Sequence, residues 1–477
     1  MTIFRVESLR RAAAHPLGGP ALTVFGLVVG FVAIALLGFE VVDAGSGLVV
    51  FWPPNGLVVA LFVLLPSRLR PWVLLGVLPG ELIADSIHGY PLLAALGFGV
   101  TDLLESAIAG VILLRIAGRP PRGDRQRDFY ALLIAAGVAP LISGVLGAEI
   151  SHAEWGSPYL TSLLLWWLGD MIGILLVVSL AMGCFNPPFH SRMLGRFGAV
   201  AEVAIVVVVS LAVFRLTTLP IGFAVLAPLT LLAIRQGLRY TAVGTVAFAV
   251  TATLLTGRGH GPFSGFPNET LRVVILQAFI AITSFVAFLI SATMSERRHA
   301  EAALVDLATH DPLTGLANRR SFLQQLERAA ARTARSVESA AIIYLDLDGF
   351  KEINDRLGHA VGDEVLTEVG RRLVDGAREG DLVARLGGDE FAVLLEPVDG
   401  IESAELSGRR IVDLIEQPFH RGEILVPIRV SVGAALVTPD AGLSLRQADD
   451  ELYRDKQGRA NRPRPAALNP IASAVAY

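Results

Sequence analysis

The chain has 477 residues, of which 53% are hydrophobic and 18% are charged, and its mean hydropathy is +0.57. Soluble domains carry roughly 25% charged residues, so this composition excludes a wholly soluble protein and predicts extensive contact with a lipid bilayer. The length predicts two or more domains. The net charge of −4 points neither toward nor away from nucleic acid, and no nucleic-acid partner is predicted. The single cysteine, Cys184, excludes an internal disulfide and a multi-cysteine metal site.

Residues 21–293 are almost continuously apolar, whereas charge is frequent from Ser295 onward. Since a helix needs ~20 apolar residues to span a bilayer, this region predicts a polytopic all-α membrane domain of eight to ten transmembrane helices. The second, third and eighth of its apolar segments are short or interrupted by proline and glycine. The predicted segments are 21–42, 50–66, 71–87, 92–114, 129–148, 159–182, 199–216, 219–234, 241–257 and 271–293.

The arginines of residues 1–300 predict the orientation of these segments. If the N-terminus lies inside, sixteen arginines fall in inner loops and three, Arg215, Arg258 and Arg272, fall in outer loops. Cytoplasmic loops are enriched in arginine and lysine, so residues 1–20 are predicted to be a cytoplasmic segment and both termini to be cytoplasmic. No cleavable signal peptide is expected, because arginines precede the first of many apolar segments.

Five acidic residues fall inside the apolar segments. A charge at mid-membrane costs at least ~2.5 kcal/mol, so such groups usually face the interior of the helix bundle. They indicate either a ligand or cation pocket or internal hydrogen bonds between helices, and the sequence leaves both open. These residues are Glu81, Asp85, Asp102, Glu105 and Asp170.

Two short motifs stand out in the same region: WPPNG at 52–56 and WWLGD at 166–170. With these motifs, residues 21–293 resemble the first type of membrane-associated sensor (MASE) domain. The resemblance implies a sensory input module in the bilayer whose sensed ligand is unknown. A transporter that carries a regulatory domain remains an alternative, because of the buried acids.

Residues 294–310 are predicted to form a helical signalling linker. Ala300, Ala303, Leu304 and Leu307 fall on one face at helical spacing. We expect the last membrane helix to continue into a short parallel coiled coil, which would transmit motion to the cytoplasm as a rotation or register shift. A plain helical linker is the alternative.

Residues 311–461 have the length of one ordinary domain, and residues 462–477, rich in proline and alanine, are predicted to be a disordered tail. The apolar run AIIYLDL at 341–347 predicts a buried central strand. Acids at the end of such a strand are costly unless something binds them, so Asp346 is a candidate metal ligand, and Asp348 is predicted to cap the next helix. The stretch 384–395 predicts a hairpin with a glycine turn. Two βαβ-like halves around this hairpin predict a ferredoxin-like α/β sandwich with extra helices.

The domain resembles the GGDEF family, the diguanylate cyclases, over residues 309–461. The motifs that carry the resemblance are DPLTGLANRR (311–320), DLDGFKEIND (346–355), GHAVGDEVL (358–366), RLGGDEF (385–391), VSVGAA (430–435) and ADDELY (448–453). The resemblance implies a nucleotidyl-cyclase-like fold and the condensation of two GTP molecules into cyclic di-GMP with loss of two pyrophosphates. Because each chain would hold one GTP, the product requires a homodimer. A bacterial cytoplasmic (inner) membrane is the implied location.

The resemblance also implies the roles of individual residues. Hard oxygen ligands would bind Mg²⁺, with Mn²⁺ as an alternative. The implied metal ligands are Asp346, the backbone of Leu347, Asp389 and Glu390, and Asp389 or Glu390 would deprotonate the attacking hydroxyl. Lys351 would meet phosphate charge in the transition state, and the other implied substrate-binding residues are Phe350 (through its backbone N–H), Asn354, His359, Asp363 and Lys456.

Arg378 and Asp381 match the RxxD inhibitory site of the family, with five residues between Asp381 and Gly387. Cyclic di-GMP is therefore implied as both product and inhibitor, although a charge pair at a helix end is an alternative for this motif alone. A receptor for cyclic di-GMP that has lost catalysis is the alternative function. The chain departs from the family after Lys456: either Gly458 and Arg459 come one residue early, or Ala460 takes the place of the family's arginine. Phosphate contact by Arg459 is therefore left open.

Overall fold

The structure, a computed structural model, describes residues 18–40, 49–185, 195–216, 219, 221–334, 339–421 and 424–460. The chain divides into two compact units, Met1–His299 and Ala300–Tyr477. Nearly all of the predicted cytoplasmic segment 1–20 and the whole of the predicted tail 462–477 lie outside the described residues.

The first unit is helical. Two short 3-10 turns, Ser67–Leu69 and Gly222–Val225, accompany its α-helices. The helices are α1 (Gly18–Glu40), α2 (Pro53–Leu64), α3 (Arg70–Leu75), α4 (Val77–Ile87), α5 (Leu92–Ala117), α6 (Gln126–Trp155), α7 (Tyr159–Phe185), α8 (Gly195–Leu216), α9 (Leu226–Gln236), α10 (Leu238–Gly257) and α11 (Glu269–Thr309).

Within the described part of the chain, seven helices are long and apolar enough to cross a membrane: α1, α5, α6, α7, α8, α10 and α11. Each coincides with a predicted segment that is uninterrupted, so the multi-pass helical fold is confirmed. The three segments predicted to be short or interrupted correspond to α2, to α3 with α4, and to α9 with its 3-10 turn. Three prolines explain why helices in the first two of these segments are short. Pro53, Pro66 and Pro71 lie at helix starts, because proline lacks an N–H and therefore begins or ends helices.

Glycines bring α2 and α7 into backbone contact. A Cβ atom on Gly173 would lie 1.9 Å from the carbonyl oxygen of Trp52, and one on Gly56 would lie 2.4 Å from that of Gly173. The N–H of Trp52 also donates to the carbonyl of Gly169 at 3.2 Å. The WPPNG and WWLGD stretches therefore adjoin through backbone atoms, which only glycine permits.

Gly173→Ala is expected to destabilise the membrane unit by about 3 kcal/mol, because the obstructing atom is a backbone oxygen that cannot rotate away. Gly26→Ala is the matched control, since a Cβ there meets no atom within 4 Å among the described residues; its effect should stay within about 0.5 kcal/mol. Thermal unfolding of the two variants in detergent measures the difference. Equal midpoints would contradict the close approach of α2 and α7.

The second unit is an α/β domain. Its elements after α11 are β1 (Ala317–Asn318), α12 (Arg319–Thr333), β2 (Ser339–Leu347), α13 (Phe350–Leu357), α14 (His359–Gly376), β3 (Leu382–Gly387), β4 (Glu390–Val398), α15 (Ile401–Ile415), β5 (Phe419–Arg421), β6 (Ile424–Val426), β7 (Val430–Leu436) and α16 (Ala441–Ala460). The main sheet has the order β1-β3-β4-β2-β7, and β5 pairs with β6. Strands β1 and β3 are parallel, and the remaining pairs are antiparallel.

Both faces of the sheet are covered, which explains the continuous apolar run of β2. Ile343 and Leu345 pack in one core with α14 and α15, and Ile342 packs in the other with Phe322 of α12 and Ala448 of α16. Successive side chains of a strand point to opposite faces, so a strand buried on both sides must be apolar throughout. The predicted central strand and the α/β sandwich around the hairpin β3–β4 are confirmed.

Candidate active site

The hairpin turn between β3 and β4 depends on its two glycines. Gly387 has φ 149° and Gly388 has φ 54°, backbone conformations that favour glycine. A Cβ at either position would meet no described atom within 4 Å, so backbone conformation rather than crowding requires glycine here. The turn places Asp389 and Glu390 at the start of β4.

Arg385 braces this turn, a role that sequence analysis did not assign. Its Nε and Nη2 donate to the carbonyl of Gly388 at 3.0 and 2.8 Å, and its Nη1 donates to Oδ1 of Asp311 at 3.0 Å. Asp311 also accepts from the N–H and the hydroxyl of Thr314 at 2.9 and 2.8 Å. Burial raises the pKa of Asp311, but the hydrogen bonds from Thr314 and Arg385 outweigh it and the net pKa is lowered. The DPLTG motif thus anchors the hairpin β3–β4.

The end of β2 adjoins the same turn. Asp346 pairs with Glu390 across the antiparallel ladder, and the N–H of Leu347 donates to the carbonyl of Asp389 at 3.3 Å. The ammonium of Lys456, on α16, lies 2.7 Å from Oδ1 of Asp346, whose side chain is 13% exposed. Burial raises the pKa of the Asp346 carboxyl above its usual value, and the Lys456 ammonium partly offsets that rise. Four of the predicted residues and one backbone group therefore meet at one strand end.

Tyr344 is a further polar residue at this strand end that sequence analysis missed. Its hydroxyl donates to Oε2 of Glu390 at 3.3 Å, and burial, followed by the Glu390 charge, raises the pKa of Tyr344. Residues two apart on a strand share a face, so the spacing between Tyr344 and Asp346 is the signal that could have identified it.

Asp348 does not cap the following helix, and this prediction was wrong. The residue before α13 is Gly349, which has φ 73° and makes no side-chain cap. The carboxylate of Asp348 instead accepts the hydroxyl of Ser431, on β7, at 2.8 and 3.0 Å. The left-handed Gly349 turns the chain away from the helix axis, which leaves Asp348 beside the sheet edge.

The predicted nucleotide-binding residues of α13 and α14 cluster around Gly362. A Cβ there would lie 2.0 Å from Oδ1 of Asn354 and 3.2 Å from the ring of Phe350. Next to them, Asp363 lines a cavity of about 740 Å³ together with Leu313 and Thr314. Glycine at 362 therefore lets the Asn354 amide lie against α14.

His359 and Lys351 are both exposed, and His359 is the first residue of α14. Arg459, whose contact with phosphate was left open, is engaged by carboxylates. Its Nη1 and Nε lie 2.6 Å from Glu416 and 2.9 Å from Asp455. Arg459 therefore ties α16 to the end of α15 rather than pointing a free guanidinium at the site.

Arg378 and Asp381 lie together at the start of β3 and line a second hollow, of about 280 Å³, with His310 and Leu382. The backbone N–H of Arg378 donates to Oδ2 of Asp381 at 2.8 Å. The guanidinium of Arg378 is not required for this turn, and the residue is exposed.

The polar groups at the end of β2 are oxygen donors, the type of ligand that Mg²⁺ prefers. Among the described residues, no three His, Cys, Asp or Glu side chains converge as a group that could hold a metal ion. The oxygen donors at this strand end are the carboxyl groups of the ladder pair Asp346 and Glu390, together with main-chain atoms next to Asp389, whose carbonyl accepts the N–H of Leu347. Such hard oxygen donors, with phosphate oxygens and water, are what Mg²⁺ prefers.

Comparison with known proteins agrees with this geometry. The family profile described as "Diguanylate cyclase, GGDEF domain" matches residues 308–462. The MASE1 profile matches residues 22–298, more than half of the chain. The chain therefore belongs to the MASE1 family and joins that membrane domain to a GGDEF domain.

Two curated relatives come from Pseudomonas aeruginosa. The bifunctional diguanylate cyclase/cyclic di-GMP phosphodiesterase MucR is 35% identical over 234 residues, which cover 47% of this chain and 34% of MucR. The diguanylate cyclase TpbB is 40% identical over 172 residues, which cover 35% of this chain and 40% of TpbB. The chain thus spans between a third and two fifths of the length of these relatives. A solved TpbB structure comprising only the GGDEF domain is 40% identical, with a TM-score of 0.30 and coverage of 31% of this chain and 89% of that one.

Proposed function

We propose that the protein is a membrane-bound diguanylate cyclase that condenses two GTP into cyclic di-GMP and two pyrophosphates and is regulated by its membrane domain. The observation that carries this proposal is the pairing of Asp346 with Glu390 beside Lys456. It brings acids from two separate motifs to the end of one strand. The GGDEF profile and the cyclase relatives support the same reaction.

In this mechanism Asp346, the Leu347 carbonyl, Asp389 and Glu390 would hold Mg²⁺ or Mn²⁺. A metal held there would neutralise charge on the phosphates while the 3′-hydroxyl attacks the α-phosphorus and pyrophosphate leaves. Asp389 or Glu390 accepts the hydroxyl proton, and the Tyr344 hydroxyl orients Glu390 through its hydrogen bond. The ammonium groups of Lys351 and Lys456 contact the phosphates.

Asp363 and Asn354 select the base. Guanine presents adjacent N–H donors that a carboxylate accepts, whereas adenine would leave Asp363 without a partner, and an unpaired polar group discriminates strongly. Phe350 and His359 complete the contacts, Phe350 through its backbone N–H near the N-terminus of α13.

The reaction requires two copies of the domain. One chain supplies one half-site, so two GTP molecules react only when two hairpins face each other in a C2 dimer. The predicted coiled coil in residues 294–310 lies at the C-terminal end of α11, a single 41-residue helix. We infer that this stalk carries the signal of the membrane domain.

If GTP is the substrate, the C-terminal domain that uses it lies in the cytoplasm. The arginine distribution supports a cytoplasmic N-terminus as well, in a bacterial inner membrane. The described residues contain seven long apolar helices, an odd number. This orientation therefore requires one or all three of the short helical segments to cross as well.

Incubation of the purified full-length protein with radiolabelled GTP and Mg²⁺ tests the proposal. Formation of cyclic di-GMP is the expected result. A folded dimer that binds cyclic di-GMP but makes none would instead favour the receptor function. Accumulation of a solute in vesicles would favour a transporter.

Lys456→Met is expected to raise the pKa of Asp346 further, because it removes the cation that offsets the effect of burial. Asp346 must be ionised to hold a metal, so activity is lost as pH falls through its pKa. The acid limb of the pH profile should therefore move to higher pH, measured as kcat/KM from about pH 5 to 9. Arg454→Met, which loses only an exposed pair with Glu451 on the same helix, should keep the parent profile. Superimposable acid limbs for both variants would refute the coupling.

Arg378→Ala is expected to remove inhibition by cyclic di-GMP. A guanidinium that forks onto guanine or phosphate contributes about 2 kcal/mol, so the half-inhibitory concentration should rise at least about 30-fold. Synthesis at low product concentration should persist. The control is Arg409→Ala, an exposed arginine of α15 paired with Glu405 at 3.6 Å. Unchanged inhibition in Arg378→Ala would show that product acts elsewhere.

A further inference from the structure

The polar residues buried in the membrane unit form an acidic cluster that the cyclase reaction does not use. It consists of Glu81 and Asp85 on α4, Asp102 and Glu105 on α5, and Asp170 on α7. None of these side chains is more than 3% exposed. Electrostatic interactions link Glu81 with Asp102, Asp102 with Glu105 and Glu105 with Asp170, so the cluster is continuous across α4, α5 and α7.

Neutral side chains donate to two members of the acidic cluster. The Asn55 amide donates to Oδ1 of Asp102 at 3.1 Å and to Oε1 of Glu105 at 2.8 Å. The indole of Trp52 donates to Oδ2 of Asp102 at 3.3 Å, and the hydroxyl of Ser143 donates to Oε2 of Glu105 at 2.7 Å. Asn55 and the two acids are fully buried. The WPPNG motif is therefore built into the cluster.

The cluster nevertheless has fewer hydrogen-bond donors than acceptor oxygens among the described residues. The carbonyl oxygen Oδ1 of Asn55 is buried without a partner among the described residues, although its own amide nitrogen touches two acids. Three carboxyl oxygens are also buried without a hydrogen-bond partner among the described residues: Oε2 of Glu81, Oδ2 of Asp85 and Oδ2 of Asp170. A buried acceptor without a donor is unfavourable. The Asn55 oxygen is always an acceptor, and the three carboxyl oxygens are acceptors when their groups are ionised. The chemistry that satisfies them is a positive group with several N–H bonds.

Aromatic rings adjoin the acids at one end of the helices. We define the aromatic cluster as Phe39, Trp52, Tyr90, Phe98 and Trp166. The ring centroids are separated by 5.1 Å for Phe39–Trp52, 6.1 Å for Phe39–Tyr90, 6.3 Å for Tyr90–Phe98 and 5.0 Å for Phe98–Trp166.

The aromatic cluster lies between the acids and the surface. Phe98 is one turn before Asp102 on α5, so the two share a face, and Trp52 touches both clusters. Phe39, Trp52 and Tyr90 are half-buried near helix ends, whereas the acids are fully enclosed. Aromatic faces attract organic cations, so a cation that enters from this end meets rings first and carboxylates beyond them.

We propose that the membrane unit binds a small alkylammonium cation between the aromatic cluster and the acidic cluster. The N–H groups donate to the unpartnered oxygens of Asn55, Asp85 and Asp170, and the positive charge compensates the carboxylates. The methylene groups pack on the rings, a contact that a metal ion cannot make. The site lies wholly in residues 18–299 and does not depend on the cyclase proposal, because binding is measured directly.

Equilibrium binding of radiolabelled putrescine to the full-length protein in lipid nanodiscs tests this site. Saturable binding is expected, and Asp102→Asn should weaken it at least about ten-fold. Glu202→Gln is the matched control, a buried membrane acid on α8 that pairs with Arg235 at 3.1 Å, and it should bind like the parent. Choline, which has no N–H, should bind at least about ten-fold more weakly than putrescine.

A measurement on the parent protein covers the case in which Asp102→Asn fails to fold. A hydrophobic carbodiimide modifies buried carboxyl groups, and putrescine should protect Asp102 and Glu105 from modification, as read by peptide mass mapping. Absence of saturable binding and of protection overturns the proposal. The same holds for equal putrescine binding by a folded Asp102→Asn variant, or for choline binding as tight as that of putrescine. The cluster would then hold shared protons and hydrogen bonds between helices only.

Discussion

Asp346→Asn is expected to lower the rate of cyclic di-GMP synthesis by about 10³-fold, because it removes a charged ligand of the proposed metal site. Metal stabilisation of phosphate charge contributes several kcal/mol to such reactions. Asparagine has the same shape as aspartate and leaves the apolar packing of β2 intact. Turnover of GTP at saturating Mg²⁺ measures the effect, and the binding of Mg²⁺ should weaken in parallel.

Asp348→Asn is the matched control for this variant. Asp348 is an acid two residues further along the chain, but its carboxylate bonds to Ser431 at 2.8 Å instead of joining the hairpin. Loss of that bond costs about 1 kcal/mol of stability and should leave turnover within a few-fold of the parent. If the two variants lost activity equally, the assignment of the metal site to the Asp346 side of the strand end would fail.

Substituting Leu304 and Leu307 together by glutamate is expected to lower synthesis about 10²-fold at fixed protein concentration. Both are exposed in the single chain, at 66% and 62%, and they lie on the same face of α11. In a parallel dimer this face is buried, so four introduced carboxylates would face one another without partners. The two half-sites would then rarely meet. Product formation as a function of protein concentration measures the loss.

Val305→Glu provides the control on the same helix. Val305 is 62% exposed, but it points away from the predicted seam, so its substitution should leave activity near that of the parent. In a Cys184→Ser background, Leu304→Cys should crosslink between protomers more readily than Val305→Cys. A stalk in which neither cysteine crosslinks, with both glutamate variants active, would leave residues 294–310 as a plain linker.

Much of the architecture was predictable because it depends on local pattern. Apolar segments of bilayer length predict membrane helices whatever surrounds them, and the seven uninterrupted segments are all long helices. The prolines and glycines of the other three correctly indicated short helices. The hairpin was equally predictable from the sequence, since the conformations of Gly387 and Gly388 are those that the turn itself requires.

The prediction for Asp348 failed because a local preference competed with a distant partner. Aspartate favours the N-cap of a helix, but Gly349 occupies that position with φ 73°. The actual partner of Asp348 is Ser431, which lies 83 residues away in sequence, so no local rule could predict the contact. The spacing of Tyr344 from Asp346 indicated a shared face, but its partner Glu390 comes from another strand, and only the pairing of β2 with β4 shows that contact.

By itself, the sequence determined the membrane domain, the central strand, the glycine hairpin and the types of residue in the candidate site, because periodicity, chain length and backbone preference are local properties. Only the tertiary structure decided which of these residues meet. The ion pair between Asp346 and Lys456, the brace between Arg385 and Asp311 and the contact of Trp52 with Asp102 each join residues 50 or more positions apart. Their distances depend on how helices and strands pack, which no single stretch of sequence specifies.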